Sequence, residues 1–98
     1  MKPYIVIVHK DPESAYGMTF PDAPGCFSAA DEIDDLFAMA TEALELWAEG
    51  EIEDGRLMPA PRSLSQIVTD PRWAEAVSSA AFFIALQPPT IALRQAAE

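Results

Sequence analysis

Between Ile33 and Trp47 the chain carries an amphipathic pattern with an unusually one-sided polar face. Ile33, Leu36, Phe37, Ala40, Ala43, Leu44 and Trp47 recur at helical spacing on one stripe. The opposite face holds Asp34, Asp35, Glu42, Glu45 and Glu49. Such a helix must bury its stripe against another layer, so the rest of the chain has to supply that layer. Asp31 is expected to cap the start by accepting backbone N–H bonds, since Glu32 beside it caps less well. The early acids complement the positive end of the helix dipole. Gly50 is the expected stop.

The covering layer is legible upstream. Tyr4–Val8 is rich in β-branched residues and predicts a strand buried on both faces or nearly so. Asp11-Pro12-Glu13-Ser14 marks a turn. In Ala15–Phe20, Tyr16, Met18 and Phe20 alternate with small or polar residues, the period of a half-buried strand. Pro21-Asp22-Ala23-Pro24-Gly25 breaks it, and Cys26–Ala30 resumes as a third short strand. Short links make these three a β-meander.

Beyond the helix, Glu51–Pro61 reads as loop. Ser63 is placed to cap a second helix at about 64–69, on to which Pro71–Ser78 continues. The run Ala80–Leu86 closes on Pro88-Pro89, and its length and closing prolines favour a strand over a helix. The expected order is β-β-β-α-α-β. It defines an α+β fold with a small, mostly antiparallel sheet of three or four strands and helices on one face. A chain of 98 residues has room for one such domain. Its expected extent is 1–87, with 88–98 as a tail.

Charge limits the function. Asp and Glu number 16 against 6 Lys and Arg, a net charge of −10. That argues against binding nucleic acid directly, because affinity for phosphates comes largely from Lys and Arg. It also argues against an anionic membrane surface. No apolar run approaches the roughly 20 residues a membrane span needs. A basic protein partner suits the balance, because opposite potentials speed encounter and exclude wrong partners. The single cysteine, Cys26, can form no disulfide within the chain, which suits a reducing, cytoplasmic setting. It is expected as a small buried hydrophobe.

Catalysis finds little support. There is no Gly-rich phosphate loop, Ser-His-Asp spacing or metal-ligand cluster. Cofactor and metal are therefore both expected to be none. His9 is expected as a surface residue at a strand end. Asp22, Asp31, Asp34 and Asp35 are available to a two-metal nuclease. Such an enzyme needs carboxylates converging from different elements, and no acid lies inside an expected strand.

Three segments together resemble a known family. Phe20-Pro21-Asp22-Ala23-Pro24-Gly25-Cys26 follows a Tyr-containing strand. A helix with an acidic start carries Glu42-Ala43-Leu44, and Leu57-Met58-Pro59-Ala60-Pro61-Arg62-Ser63 comes after it. This resembles the HicB antitoxins of type II toxin–antitoxin systems, with their "FPDLPGC" turn, "EAL" helix and "LPxPS" segment. The resemblance covers about residues 1–87. It implies a partial ribonuclease H fold without enzymatic activity. It also implies a partner: HicA, a small basic mRNA-cleaving toxin with a catalytic His, neutralised when its active site is masked. Many members add a C-terminal DNA-binding domain. Gln87–Glu98 is too short for one, so either this member lacks it or the tail begins a linker towards it. DNA binding is expected only with such a domain.

The resemblance gives the acidic face a possible use. Ten acids and no Lys or Arg lie between Asp31 and Asp54. A face of one sign gains no i,i+4 ion pairs and repels itself. It is either a solvated surface or the toxin-docking site, for which Asp31, Asp35, Glu42, Glu45 and Glu49 are the candidates. Phe82, Ile84 and Leu86 are the candidates for self-association into a dimer or tetramer, should the last strand lie at a sheet edge. The competing function is an orphan regulatory or protein-interaction module with no toxin partner.

Overall fold

The computed structural model describes residues 2–91. Strands β1 (Tyr4–Lys10), β2 (Tyr16–Thr19) and β3 (Phe27–Ala30) form the meander, and helix α1 (Leu36–Glu53) follows. Two short helices, α2 (Leu64–Val68) and α3 (Ala74–Ser78), lead to strand β4 (Phe82–Leu86). The four strands make one antiparallel sheet in the order β3-β2-β1-β4. The fold is the expected α+β arrangement, and the run before the two prolines is a strand.

Central position explains the composition of β1. It pairs with β2 through Ile7–Thr19 and Val8–Met18, and with β4 through Val6–Ile84 and Tyr4–Leu86. Val6, Ile7 and Val8 are all fully buried, so both faces of this strand are covered. The Tyr4, Val6 and Val8 side joins Met18, Phe20 and Leu86 to receive Leu36, Ala40 and Leu44 of α1. His9 alternates to the reverse side, where its Nε2 lies 3.0 Å from the Ala76 carbonyl of α3. The long helix thus takes one face, while α3 approaches the end of β1 from the other, so the helices do not all lie on one face as expected. His9 is half-buried and tied to a helix; it is not the free surface residue expected of a strand end.

Three local expectations change. The first helical turn is a 3-10 turn, Ile33–Asp35, and no side chain caps it or α1. Asp31 therefore does not cap. Gly50 lies within α1, and the helix ends three residues later at Glu53, with Asp54 as its C-cap and Gly55 just beyond. There Gly55 takes a φ of 83°, and the Gly55 and Arg56 amides donate to the Ile52 and Glu51 carbonyls. This is a Schellman motif, and glycine suits its left-handed residue. The third change concerns the stripe. Leu36, Ala40, Leu44 and Ala48 are buried, but Ile33 and Phe37 are more than half exposed. Phe37 shares the angular position of Leu44 seven residues on, so its exposure reflects axial position: the helix outruns the core there.

Two sequence segments of the family pattern meet across the fold. Ala23 N–H donates to the Phe20 carbonyl and Cys26 N–H to the Ala23 carbonyl. Pro24 and Gly25, with φ 85° at Gly25, suit the centre of the second turn. Asp22 is buried under these turns, and its carboxylate accepts from both the backbone N–H and the Nε of Arg62, each at 2.7 Å. Arg62 also donates to Asp70 at 2.9 Å, and Asp70 accepts from Arg72. Tyr4 Oη donates to the Pro59 carbonyl at 2.6 Å. The proline segment is thereby strapped to β1 and to the β2–β3 turn. Its exit is fixed by a capping box, in which Ser63 accepts from the Gln66 amide and Gln66 accepts from that of Ser63.

Candidate functional site

Helix α1 runs back alongside β3, which leaves a seam between the helix and that sheet edge. Ser28 Oγ bridges it by donating to the Met39 carbonyl at 3.1 Å. On one side of this bridge lies a groove of about 440 Å³, lined by Asp31, Asp35, Ala29, Ala38 and Met39. On the other lies a hollow of about 400 Å³, lined by Phe27, Ala43, Leu46 and Trp47 with the Gly25-Cys26 backbone turn. Trp47 is held there because its Nε1 donates to the Pro24 carbonyl at 2.9 Å.

The five expected docking acids do not form one cluster. Asp31 and Asp35 flank the first groove. Glu45 and Glu49 stand further along the helix, around a recess of about 280 Å³ shared with Pro89, Thr90 and Ile91. Glu42, three residues from both Met39 and Glu45, lies between the groups on the outward face and is exposed. The distance from Asp35 to Glu49 along the helix is about 21 Å at about 1.5 Å per residue. A partner meeting all five would have to span most of α1.

Cations do little to offset this surface. Arg56 pairs with Glu51 and Asp54 at the helix end, and Arg62 and Arg72 are committed to Asp22 and Asp70. Arg62, and to a lesser degree Arg72, hold the Asp70 carboxyl well below the usual carboxylate range. The hydrogen bonds that Arg62 donates to Asp70 and Asp22 raise its own pKa in turn. Lys10 lies over the Tyr16 ring and donates to the Asp11 carbonyl at the far end of the β1–β2 hairpin.

The aspartates considered for metal chemistry are dispersed. Asp22 spends both carboxylate oxygens on Arg62, Asp34 is exposed in the 3-10 turn, and Asp31 and Asp35 line a surface groove. Among the described residues no group of three or more His, Cys, Asp or Glu is placed to hold a metal ion. Cys26 is buried as expected, and burial pushes its thiol up to about 11. Among the described residues no helix is long and apolar enough to cross a membrane.

The self-association candidates occupy a different edge. Among the described residues β4 borders only β1, and its outer backbone edge has no strand beside it. Leu86 is buried in the core, and Phe82 and Ile84 are half-buried against it. Their side chains thus serve the core, and the backbone forms the edge. The part of the expected tail at 92–98 lies outside the described residues, whereas Pro88 and Pro89 are buried.

What sequence reasoning missed is the apolar part of the seam. Phe27 is 70% exposed and Leu46 62% exposed. A signal was available, because Met39 and Leu46 are apolar residues lying off the core stripe.

A sheet of four antiparallel strands with a long acidic helix packed on one face, alongside β3, defines a small α+β domain. Residues 4–92 match the HicB-like antitoxins of bacterial toxin–antitoxin systems, and the chain belongs to that family. The HicB antitoxin of Burkholderia pseudomallei is 31% identical and superposes with a TM-score of 0.70, over 89% of this chain and 63% of that one. Its N-terminal domain alone is covered to 96%, with a TM-score of 0.68. A chain of the HicA3–HicB3 toxin–antitoxin complex is 26% identical, with a TM-score of 0.67 over 87% of this chain and 95% of that one. An uncharacterized 14.9 kDa protein of Haemophilus phage HP1 is 33% identical over 60 residues, 61% of this chain. The chain spans 45% of that phage protein's length.

Proposed function

We propose that this chain is the neutralising half of a toxin–antitoxin pair, acting by binding and not by catalysis. Its partner is a small basic HicA-type toxin that cleaves mRNA, and inhibition comes from covering the toxin's active site. The observation that carries this reading is the conjunction of family membership with an acidic helix whose outward face bears no cation. The HicA3–HicB3 complex supports the choice of partner. An electrostatically complementary face speeds capture of a basic toxin and excludes RNA from the same surface. The setting is the cytoplasm, where mRNA is cut.

The β4 edge, which no other strand borders among the described residues, supports self-association of the antitoxin by strand pairing, with 1–87 as the folded unit. This chain holds no DNA by itself; operator binding in the family would fall to a further domain.

Co-expression with the HicA-type toxin of the source genome tests the function. Rescue of growth and co-purification of the two proteins are expected. A toxin that remains lethal, with no complex recovered, would overturn the proposal and favour an orphan interaction module.

A further inference from the structure

We propose that the toxin is anchored in the apolar hollow of the β3–α1 seam, with the acids as its rim; this rests on the antitoxin reading above. Phe27 and Leu46 expose most of their surface. Ala43 and Trp47 close the hollow between Phe27 and Leu46. Large apolar groups gathered at a concavity mark binding sites more often than singly scattered ones do. The hollow is also held firm, since the Trp47–Pro24 and Ser28–Met39 bonds fix helix against edge strand.

Charge decides the occupant. Glu42 and Glu45 stand within one helical turn of Leu46, and Asp31 and Asp35 line the adjoining groove. A second copy of this chain would bring like charge against like charge, with a net charge of −10 on each. A basic protein would place an apolar side chain in the hollow and Lys or Arg on the rim. Interface energy concentrates in such central apolar anchors, while rim charges chiefly set encounter rate and salt dependence. The hollow is therefore expected to control how long the complex lasts, and the acids how fast it forms.

The test uses the full chain and the HicA-type toxin of the source genome, inactivated at its catalytic histidine. Phe27→Ser and Leu46→Ser should each weaken binding about tenfold or more, mainly through faster dissociation. Leu57→Ser, at an exposed loop position away from the hollow, should stay within about twofold. Glu42→Lys should slow association most at low salt. Wild-type binding with both seam variants unaffected overturns the anchor and leaves the antitoxin reading standing. Absence of wild-type binding overturns both. Light scattering that shows the seam variants abolishing a homodimer, with toxin affinity intact, gives the hollow to a second copy and overturns the proposal. An independent readout needs no change at the seam: Trp73→Phe leaves Trp47 as the sole tryptophan. Its emission should shift on toxin binding, and constant emission at saturation overturns the anchor.

Discussion

Replacing Asp22 by Ala should cost a large part of the domain's stability. The Asp22 side chain is 7% exposed and accepts two bonds at 2.7 Å from Arg62. A hydrogen bond to a charged group is worth about 1.5–3 kcal/mol, so the two together set a gross loss of about 3–6 kcal/mol. Breaking a buried pair costs about 3–5 kcal/mol. Two features reduce this. Arg62 is 29% exposed, so water can partly resolvate it, and Asp70 still pairs with it. The expected net loss is about 2–4 kcal/mol, against a total of about 5–15 kcal/mol for a domain of this kind. Urea denaturation should show a lower midpoint with an unchanged slope. The melting temperature should fall by about 8–32 °C, from about 4–8 °C per kcal/mol in a domain this size. Asp22→Asn, which keeps one acceptor oxygen, should lose about half as much. Adding Arg62→Ala to Asp22→Ala should cost little more, giving a coupling of about 1–3 kcal/mol. An Asp22→Ala protein within about 0.5 kcal/mol of wild type would refute the clamp as the support of the proline segment.

Two further outcomes follow from the core. Leu44→Ala, at the centre of the α1 contact with the sheet, should destabilise by about 2–5 kcal/mol in the same denaturation assay; Phe37→Ala on the same stripe should cost well under half of that, because Phe37 is exposed. Alkali should also destabilise the fold. Burial, with Asp22 second, pushes the Tyr4 hydroxyl from 10.0 up to about 12, and burial pushes the Cys26 thiol from 9.0 to about 11. Both groups are held neutral in the folded chain, so their contribution is complete below pH 9 and is lost as pH rises to about 12. A melting temperature flat across that window would contradict the burial of both.

Much of the fold was legible because period and punctuation agreed. The β-branched run of β1 and the alternation of Tyr16, Met18 and Phe20 read correctly, and so did the Ser63 cap, whose partner Gln66 lies three residues on. The clamp was not legible: Asp22 and Arg62 are 40 residues apart, and one sequence does not show which acid meets which base. Periodicity fixes the angle of a residue on a helix but not whether the core reaches it, which is why Phe37 and Leu44 part company. Gly50 misled as a stop because a glycine inside a helix costs only about 1 kcal/mol and can be carried, whereas Gly55 provides the left-handed conformation that ends α1. The acids share one outward face at about 100° per residue, but they are spread along its axis from one groove to another, and the exposed apolar Met39 and Leu46 beside them went unnoticed.

Silencing of a toxin by direct contact is the central claim. Its most direct test is an RNA-cleavage assay of the purified HicA-type toxin titrated with this chain in low-salt buffer. Cleavage should fall linearly and vanish near molar equivalence, then return as salt is raised. Undiminished cleavage at a large excess of the chain, or cleavage by the chain alone, would contradict it.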